Sequence, residues 1–153
     1  MLFLLFRLGL DRYALAAEQI VAVTPWLVLK AIPQAPLAVA GLCLYCGAPV
    51  PVLDLSALAL GRPAVPLLST RIVFVPYPHP DGEPRLLGLL AEGATQTLRL
   101  AESDFAPAGV RSAQAPWLGP VAVDGGGLIQ RIDIADLLPP ALRALLFSET
   151  EAA

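Results

Sequence analysis

The sequence predicts an all-β domain of the sandwich or barrel class. Short apolar runs of strand length follow one another at close spacing along most of the 153 residues. Sixteen prolines and twelve glycines separate these runs instead of clustering, as turn residues do in folds built from many short strands. One segment near the end has helical apolar spacing, so we expect one β domain that closes with a short helix.

The first half of the chain predicts four short β-type runs. Residues 3–9 read "FLLFRLG" and lead into a turn, after which the run "RYALAA" follows. The start lacks the basic segment of a signal peptide, and Arg7 interrupts its apolar run early, so we interpret it as a buried first strand. Residues 19–24 form a strand that stops at Pro25. Residues 50–55 are almost continuously apolar, as in a strand that is buried on both faces.

The second half predicts two hairpins and one further strand. Strands over 70–75 and 85–92 flank a proline-rich loop, "PYPHPDGEP". Residues 95–100 alternate cleanly between polar and apolar and predict a separate strand. Strands over 118–124 and 128–134 flank three consecutive glycines, which indicate a second hairpin.

The closing helix and a weak internal repeat complete the pattern. Residues 139–147 begin with proline, which suits the first turn of a helix. Residues 52–58, "VLDLSAL", resemble residues 131–137, "RIDIADL". Two similar half-barrels would explain this echo, and so would chance, because the echo is short. Asp54 and Asp133 each follow a strand, so we interpret both as caps of free N–H groups.

Composition excludes several classes of protein. Net charge is −3 and the ten Lys and Arg are scattered singly, so no basic surface for nucleic acid is expected. Apolar residues are 56% and charged residues 15%, which suggests a surface that partners cover in part. Two cysteines do not make a disulfide framework, which favours the cytoplasm. Residues 31–53 carry no charge, but their four prolines rule out a spanning helix, so no direct membrane insertion is expected.

No catalytic site emerges from the residues. His79 is the only histidine, so no metal triad of histidines can be built, and a Cys/His or Ser/His site could use no other histidine as its base. We interpret His79 as a solvated loop residue. The glycines form neither a dinucleotide fingerprint nor a P-loop. Five carboxylates fall into no acid/base motif: Asp54, Glu92, Asp104, Asp133 and Asp136. We therefore expect a protein that is not an enzyme, binds no cofactor and acts by recognition.

Cys43 and Cys46 have the C-x-x-C spacing of zinc and redox sites. A structural zinc needs four ligands. A redox pair needs its first thiol at a helix N-terminus, whereas Cys46 precedes Gly47 and then a strand. We therefore expect two unconnected residues, with Cys43 buried and Cys46 near a turn. A thiol or metal site stays as an alternative.

Taken in order, these segments resemble the CheW-like coupling domains of bacterial chemosensory systems. "FLLFRLGLDRYALAAEQIVAV" is similar to the first strands of that family, and "IPQAPLAVAGLCLYCGAPVPVLDLSALALG" is similar to its signature. "LLGLLAEGATQTLRL" and "LIQRIDIADLL" are similar to a later hairpin and to the closing strand. The resemblance covers residues 3–138 and rests on the order of the motifs.

The resemblance implies two small five-stranded SH3-like β-barrels, packed side by side, with a short C-terminal helix. The whole of residues 1–147 would be one domain. The implied parts are a first subdomain over 12–68, a second over 1–11 plus 69–138, the helix over 139–147 and a disordered tail over 148–153.

The resemblance also implies a function. Such domains are non-catalytic adaptors that link the cytoplasmic tip of a chemoreceptor to the regulatory domain of a CheA-type histidine kinase. They lie in the cytoplasm and reach the membrane through the receptor complex. Family positions imply seven partner-binding residues here: Ile20, Ala22, Gly41, Leu44, Cys46, Gly47 and Ala94.

The chain departs from the family at several of these positions. The family has Asn and Arg where this chain has Leu44 and Cys46, an acidic residue is frequent at Ala22, and Asp is usual at Glu92. Either the partner has changed towards apolar contacts, or one interface has been lost. The lost arginine leaves a second hypothesis open, in which the domain docks or self-assembles with another apolar partner.

Overall fold

The structure is a computed structural model and describes residues 1–147. The predicted tail over 148–153 lies outside the described residues. The described chain is mostly β, as predicted. Its strands are β1 (Leu2–Leu8), β2 (Asp11–Ala16), β3 (Ala22–Pro25), β4 (Val39–Tyr45), β5 (Ala48–Asp54), β6 (Arg71–Tyr77), β7 (Arg85–Arg99), β8 (Leu118–Asp124) and β9 (Gly127–Ile132). Its helices are α1 (Leu55–Leu60) and α2 (Pro140–Leu146), with 3-10 turns at Ala17–Gln19, Glu102–Asp104 and Ile134–Asp136.

The long strand β7 joins two groups of strands. Its residues 85–91 pair with β6, and its residues 92–99 pair with β1. The sequence predicted two strands here, over 85–92 and 95–100, and this prediction was wrong. Gly93 adopts a positive φ of 64°, which lets the strand bend while its pairing continues.

Each group forms a lobe with the same strand order. The first lobe is β3-β6-β7-β5-β4 and the second lobe is β7-β1-β2-β9-β8. In each lobe the third and fourth strands of that order are parallel and the other neighbours are antiparallel. The two lobes are therefore topological repeats, and the second is assembled from both ends of the chain.

The sheet is not closed into a barrel. In each lobe, a single bridge joins the segment that follows the first strand to the last strand: Lys30 to Leu42 in the first lobe and Ala106 to Val121 in the second. Pro107 and Pro120 flank the second bridge, and proline has no N–H to extend a ladder. The predicted five strands a lobe are present, but the ring of hydrogen bonds is incomplete.

The internal echo reflects the structural repeat. β5 and β9 occupy equivalent places. β5 ends in Asp54 and β9 is followed directly by Asp133, and each aspartate caps the turn that comes next, as predicted. An Asp54 carboxylate oxygen accepts a hydrogen bond from the N–H of Ala57 at 3.1 Å. Asp133 accepts one from the N–H of Ala135 at 3.1 Å.

The predicted subdomain boundaries stay a prediction. Strand pairing groups the chain differently, because β2 pairs with β1 and β9 in the second lobe. Likewise, β6 pairs with β3 and β7 in the first lobe.

Several strands are buried on both faces, which explains the continuous apolar runs. In β6, Ile72 and Phe74 enter a core that belongs to the first lobe, whereas Val73 and Val75 enter a core that both lobes share. In β1, Phe3 lies in a core of the second lobe. We took the high apolar content as a sign of a surface that partners cover. Burial of strands on both faces explains much of that content within the domain itself.

α2 packs across the shared core. Leu142 is buried there, and the ring of Phe147 stacks on Tyr77, with centroids 5.6 Å apart. The predicted helix over 139–147 is confirmed, with Pro140 at its start. No helix within residues 1–147 is long and apolar enough to cross a membrane.

Candidate functional site

The turn of the β4–β5 hairpin is the two-residue loop Cys46–Gly47. Tyr45 pairs with Ala48 on either side of it. Both turn residues have positive φ, 52° for Cys46 and 81° for Gly47. This is the backbone pattern of a type I′ turn, which matches the twist of the strands. Cys46 is therefore held in an unusual left-handed conformation, with its side chain exposed at the tip of the first lobe.

The two cysteines lie in different environments, as predicted. Cys43 is 3% exposed in the first-lobe core, and burial raises the pKa of its thiol. Cys46 is exposed, and both cysteines are free. Within residues 1–147, no group of three or more His, Cys, Asp or Glu side chains is placed to hold a metal ion.

An apolar surface surrounds the Cys46 turn. Leu44 is 70% exposed and pairs with Pro49 across the hairpin. Val28, in the segment that bridges to β4 at Lys30, is 93% exposed. The first lobe therefore presents exposed aliphatic side chains on this hairpin and on the segment that bridges to it.

The second lobe has an equivalent tip that sequence reasoning missed. In the β8–β9 hairpin, Val123 pairs with Leu128 one step from the turn, as Leu44 pairs with Pro49. These two side chains are 71% and 64% exposed. Arg12 braces this turn by binding Asp124, and it lowers the pKa of that carboxyl. The internal echo was the signal that could have located the second tip.

A groove lies between the β4–β5 hairpin and the end of α2. Its volume is about 480 Å³. The lining is mostly of apolar side chains, together with Tyr45, Cys46 and Arg85. The Arg85 guanidinium donates to the Asp81 carboxylate at 2.6 Å. Hydrogen bonds to its carboxylate lower the pKa of Asp81 to about 2. The bond from the N–H of Glu83 has the larger effect, and the bond from Arg85 comes next. The one guanidinium at the groove is therefore already paired.

His79 is not solvated, contrary to the sequence prediction. Its side chain is 6% exposed, and Nδ1 lies 3.0 Å from a carboxylate oxygen of Asp81. The ring also packs edge-on against Phe147. The proline-rich loop folds back onto the end of α2, and sequence alone could not predict that contact.

The seven predicted partner-binding residues fall into three places. Leu44, Cys46 and Gly47 lie together at the tip of the first lobe, and Ile20 and Ala22 lie half-buried at the start of β3. Gly41 and Ala94 lie inside the protein. Their role in binding stays a prediction, and for the two internal residues it could only be indirect.

Gly41 is required by the backbone around it. Its φ is 142°, and an added Cβ would lie 2.5 Å from the carbonyl oxygen of Lys30. This close approach allows the bridge between Lys30 and Leu42 to form. Gly41 therefore positions the hairpin rather than offering a side chain to a partner.

Glu92 fastens the segment after α1 to β7. One carboxylate oxygen accepts from the N–H of Val65 at 2.8 Å, the hydroxyl of Ser56 at 3.1 Å and Arg62 at 3.3 Å. Such a set of internal bonds indicates a structural role for this carboxylate.

Comparison with known proteins agrees with the fold. The family described as the CheW-like domain matches residues 2–141. The chain is similar to the crystal structure of the scaffolding protein TtCheW from Thermoanaerobacter tengcongensis, with 18% sequence identity and a TM-score of 0.78. That similarity covers 90% of this chain and 87% of that one. No curated protein matches the chain.

Proposed function

The chain belongs to the CheW-like family, and we propose that it is a non-catalytic adaptor in a chemosensory pathway. It couples the cytoplasmic tip of a chemoreceptor to the regulatory domain of a CheA-type histidine kinase. The pathway is swimming chemotaxis or a related surface-sensing pathway. In this proposal the protein works in the cytoplasm and reaches the membrane through the receptor complex.

The exposed tip of the first lobe is the observation that carries the proposal. Cys46 stands where the family has a partner-contacting arginine, and it is exposed on a rigid two-residue turn beside Leu44, which is 70% exposed. A well-ordered turn loses little conformational freedom when it binds. The exposed pair Val123 and Leu128 gives the second lobe an equivalent surface, which suits partners built from similar double lobes.

The test is direct binding by the purified protein. We expect it to bind both the regulatory domain of the CheA-type kinase and a receptor-tip hairpin fragment from the same organism, measured by isothermal titration calorimetry. Leu44→Asp places an unpaired charge in the proposed contact and should weaken kinase binding at least tenfold. Leu10→Asp is the matched control, because Leu10 is 92% exposed at the β1–β2 turn. Failure of the wild-type protein to bind either partner contradicts the proposal.

A second candidate is a module that self-assembles through its apolar surface. The observation that favours it is Leu68, which is 99% exposed in the segment after α1, together with Leu10. Sedimentation velocity over a wide concentration range separates the two functions. An adaptor of the proposed kind needs its partners to form a complex, whereas a self-assembling module associates alone as concentration rises.

A further inference from the structure

We infer that the outer edge of β7, over residues 95–99, binds an extended acidic segment of a partner protein, which adds to the sheet as a further strand. β7 is the first strand of the second lobe, so one of its sides lies at the border of that lobe. The inference goes beyond the proposed function and does not depend on it, because the seven positions that the family implies all lie outside this segment.

The outer side of this segment has no partner strand within residues 1–147. Residues 96–99 pair with β1, whereas β6 and β5 pair with β7 only nearer its start, over 85–91 and 88–90. The chain before β6 follows β7 as far as one hydrogen bond, from the N–H of Ala94 to the carbonyl of Ser69 at 3.0 Å. Beyond that bond the sheet ends along β7.

The register of the β1 ladder determines which backbone groups lie on this edge. The N–H of Leu100 donates to the carbonyl of Met1 at 2.9 Å, so Leu98 and Gln96, at alternate positions of the same ladder, also bond to β1. The N–H and the C=O of one trans peptide point to opposite sides. The groups that point outwards are therefore the C=O of Thr95 and both backbone groups of Thr97 and Arg99.

This edge lacks the devices that block strand addition. Natural sheets protect their edges with proline, with charges or with a covering segment. β3 ends at Pro25 and β8 contains Pro120, while single bridges occupy Leu42 of β4 and Val121 of β8. Residues 95–99 read "TQTLR", with no proline and with two β-branched threonines that suit a strand. Such an edge can accept an extended peptide through its backbone hydrogen bonds.

Charge favours an acidic strand as the occupant. Arg99, and Arg7 on the neighbouring strand β1, are exposed and form no ion pair within the described chain. Glu92 and Glu102, which flank the segment, are each already paired with another arginine. The segment is therefore locally positive, although the net charge of the chain is −3. Carboxylates on an added strand gain cross-strand attraction here, and lysines are repelled.

The test uses a short peptide, so neither the kinase nor the receptor takes part and the result is independent of the proposed function. The probe is an acetylated and amidated heptapeptide of alternating glutamate and valine, titrated into the isotope-labelled full chain and followed by NMR. We expect saturable shifts centred on residues 95–99. The same peptide with every peptide nitrogen methylated cannot pair as a strand and should not bind.

Hydrogen exchange checks the register of the added strand. In the presence of saturating peptide, the outward N–H groups of Thr97 and Arg99 should exchange at least about tenfold more slowly. Those of Gln96 and Leu98 already bond to β1 and should change less than about twofold. Shifts without this alternating protection would mean that the peptide binds in another way, which overturns the inference.

Charge reversal tests the choice of an acidic partner. Arg99→Glu should weaken binding of the glutamate peptide at least about tenfold. Arg111→Glu is the matched control, because Arg111 is exposed in the same lobe but lies in the loop before β8, and it should change affinity less than about twofold. Equal binding of a lysine–valine peptide, or no binding of the glutamate peptide, overturns the inference. So does protection of Thr97 that rises with protein concentration alone, because the edge would then pair with a second copy of this chain.

Discussion

At the scale of single residues, Cys46 illustrates a conformational cost at an exposed turn. A side chain with a φ of 52° is strained, and left-handed backbone costs most residues roughly 1–2 kcal/mol. Asparagine tolerates this conformation, and Asn-Gly is the preferred pair in type I′ turns. The same position therefore sets both the stability of the hairpin and the chemistry of its tip.

We predict that Cys46→Asn stabilises the protein. The expected gain is about 1 kcal/mol in the free energy of unfolding, measured by urea denaturation under reducing conditions. Ala48→Asn is the control, because Ala48 is also exposed in the same hairpin but lies in the extended strand β5. A midpoint that does not rise for Cys46→Asn, or that rises equally for both, contradicts the explanation by backbone strain.

Asp54 and Asp133 occupy equivalent caps but differ in burial. Asp54 is 4% exposed, and its second oxygen also accepts from the N–H of Ala64 at 2.9 Å. We expect Asp54→Ala to cost about 2–4 kcal/mol, because it leaves two buried N–H groups without partners. Asp133→Ala, at an exposed single-bond cap, should cost about 1 kcal/mol. Equal losses in thermal or urea unfolding would show that burial does not decide the cost.

The carboxyl of Asp81 gives the protein an acid sensitivity with a definite sign. Its pKa is lowered from 3.8 to about 2, so the folded state binds its proton less readily than the unfolded chain. Its contribution to stability is present above the unfolded pKa and is lost as pH falls from 3.8 towards 2. Urea unfolding across this window should show a shallower fall for Asp81→Asn than for wild type. Parallel curves would contradict this assignment.

Residue types predicted the two caps and the separate cysteines, because each depends on local chain geometry. The sequence did not predict the environment of His79. Its ring packs against Phe147, which is the last residue of the described chain and lies far from His79 in sequence. Contacts between segments so distant in sequence leave no periodic signal. For the same reason, the groove beside Cys46 could not be predicted, since its two walls come from a hairpin and from α2.

At the scale of elements, the close packing of β5, β6 and β7 side by side depends on a glycine. Gly88 in β7 pairs with Phe74 of β6 and with Val52 of β5. A Cβ there would lie 3.0 Å from Ile72 and 3.1 Å from Val52. The strands are packed this closely because the position carries no side chain.

We predict that Gly88→Ala destabilises the first lobe by about 1–3 kcal/mol through overpacking. Gly125→Ala is the matched control, because nothing lies within 4 Å of the added methyl group and its φ is not positive. The measurement is the midpoint of thermal unfolding by circular dichroism. A loss of similar size in both variants would indicate a general cost of replacing glycine instead of crowding.

The strands themselves were largely predictable, because their apolar runs are short and turn residues bound them. The exceptions are β4, which was not predicted, and β7, which was predicted as two strands. The backbone bends there without ending, since both sides of the bend find partners, in β6 and in β1. Which lobe a strand joins depends on that pairing, and the order of strands along the chain does not reveal it.

At the scale of the whole molecule, the two lobes are joined in two ways. They share β7, and they share a core that includes Leu15 and Trp117 from the second lobe and Leu53 and Val73 from the first. The second lobe also contains both β1 and β9, so it cannot form until the chain between them is in place. Independent folding of the lobes is therefore not expected.

We predict that a cavity in one lobe destabilises both. Ile72→Ala removes buried methyl groups from the first-lobe core and should cost about 2–5 kcal/mol. Trp26 packs against that core and Trp117 lies in the shared core, so Trp26→Phe and Trp117→Phe backgrounds each leave one fluorescent reporter. Because the shared core couples the lobes, Ile72→Ala should shift the urea midpoint by the same amount in both backgrounds. A shift seen by Trp26 but not by Trp117 would mean that the lobes unfold separately.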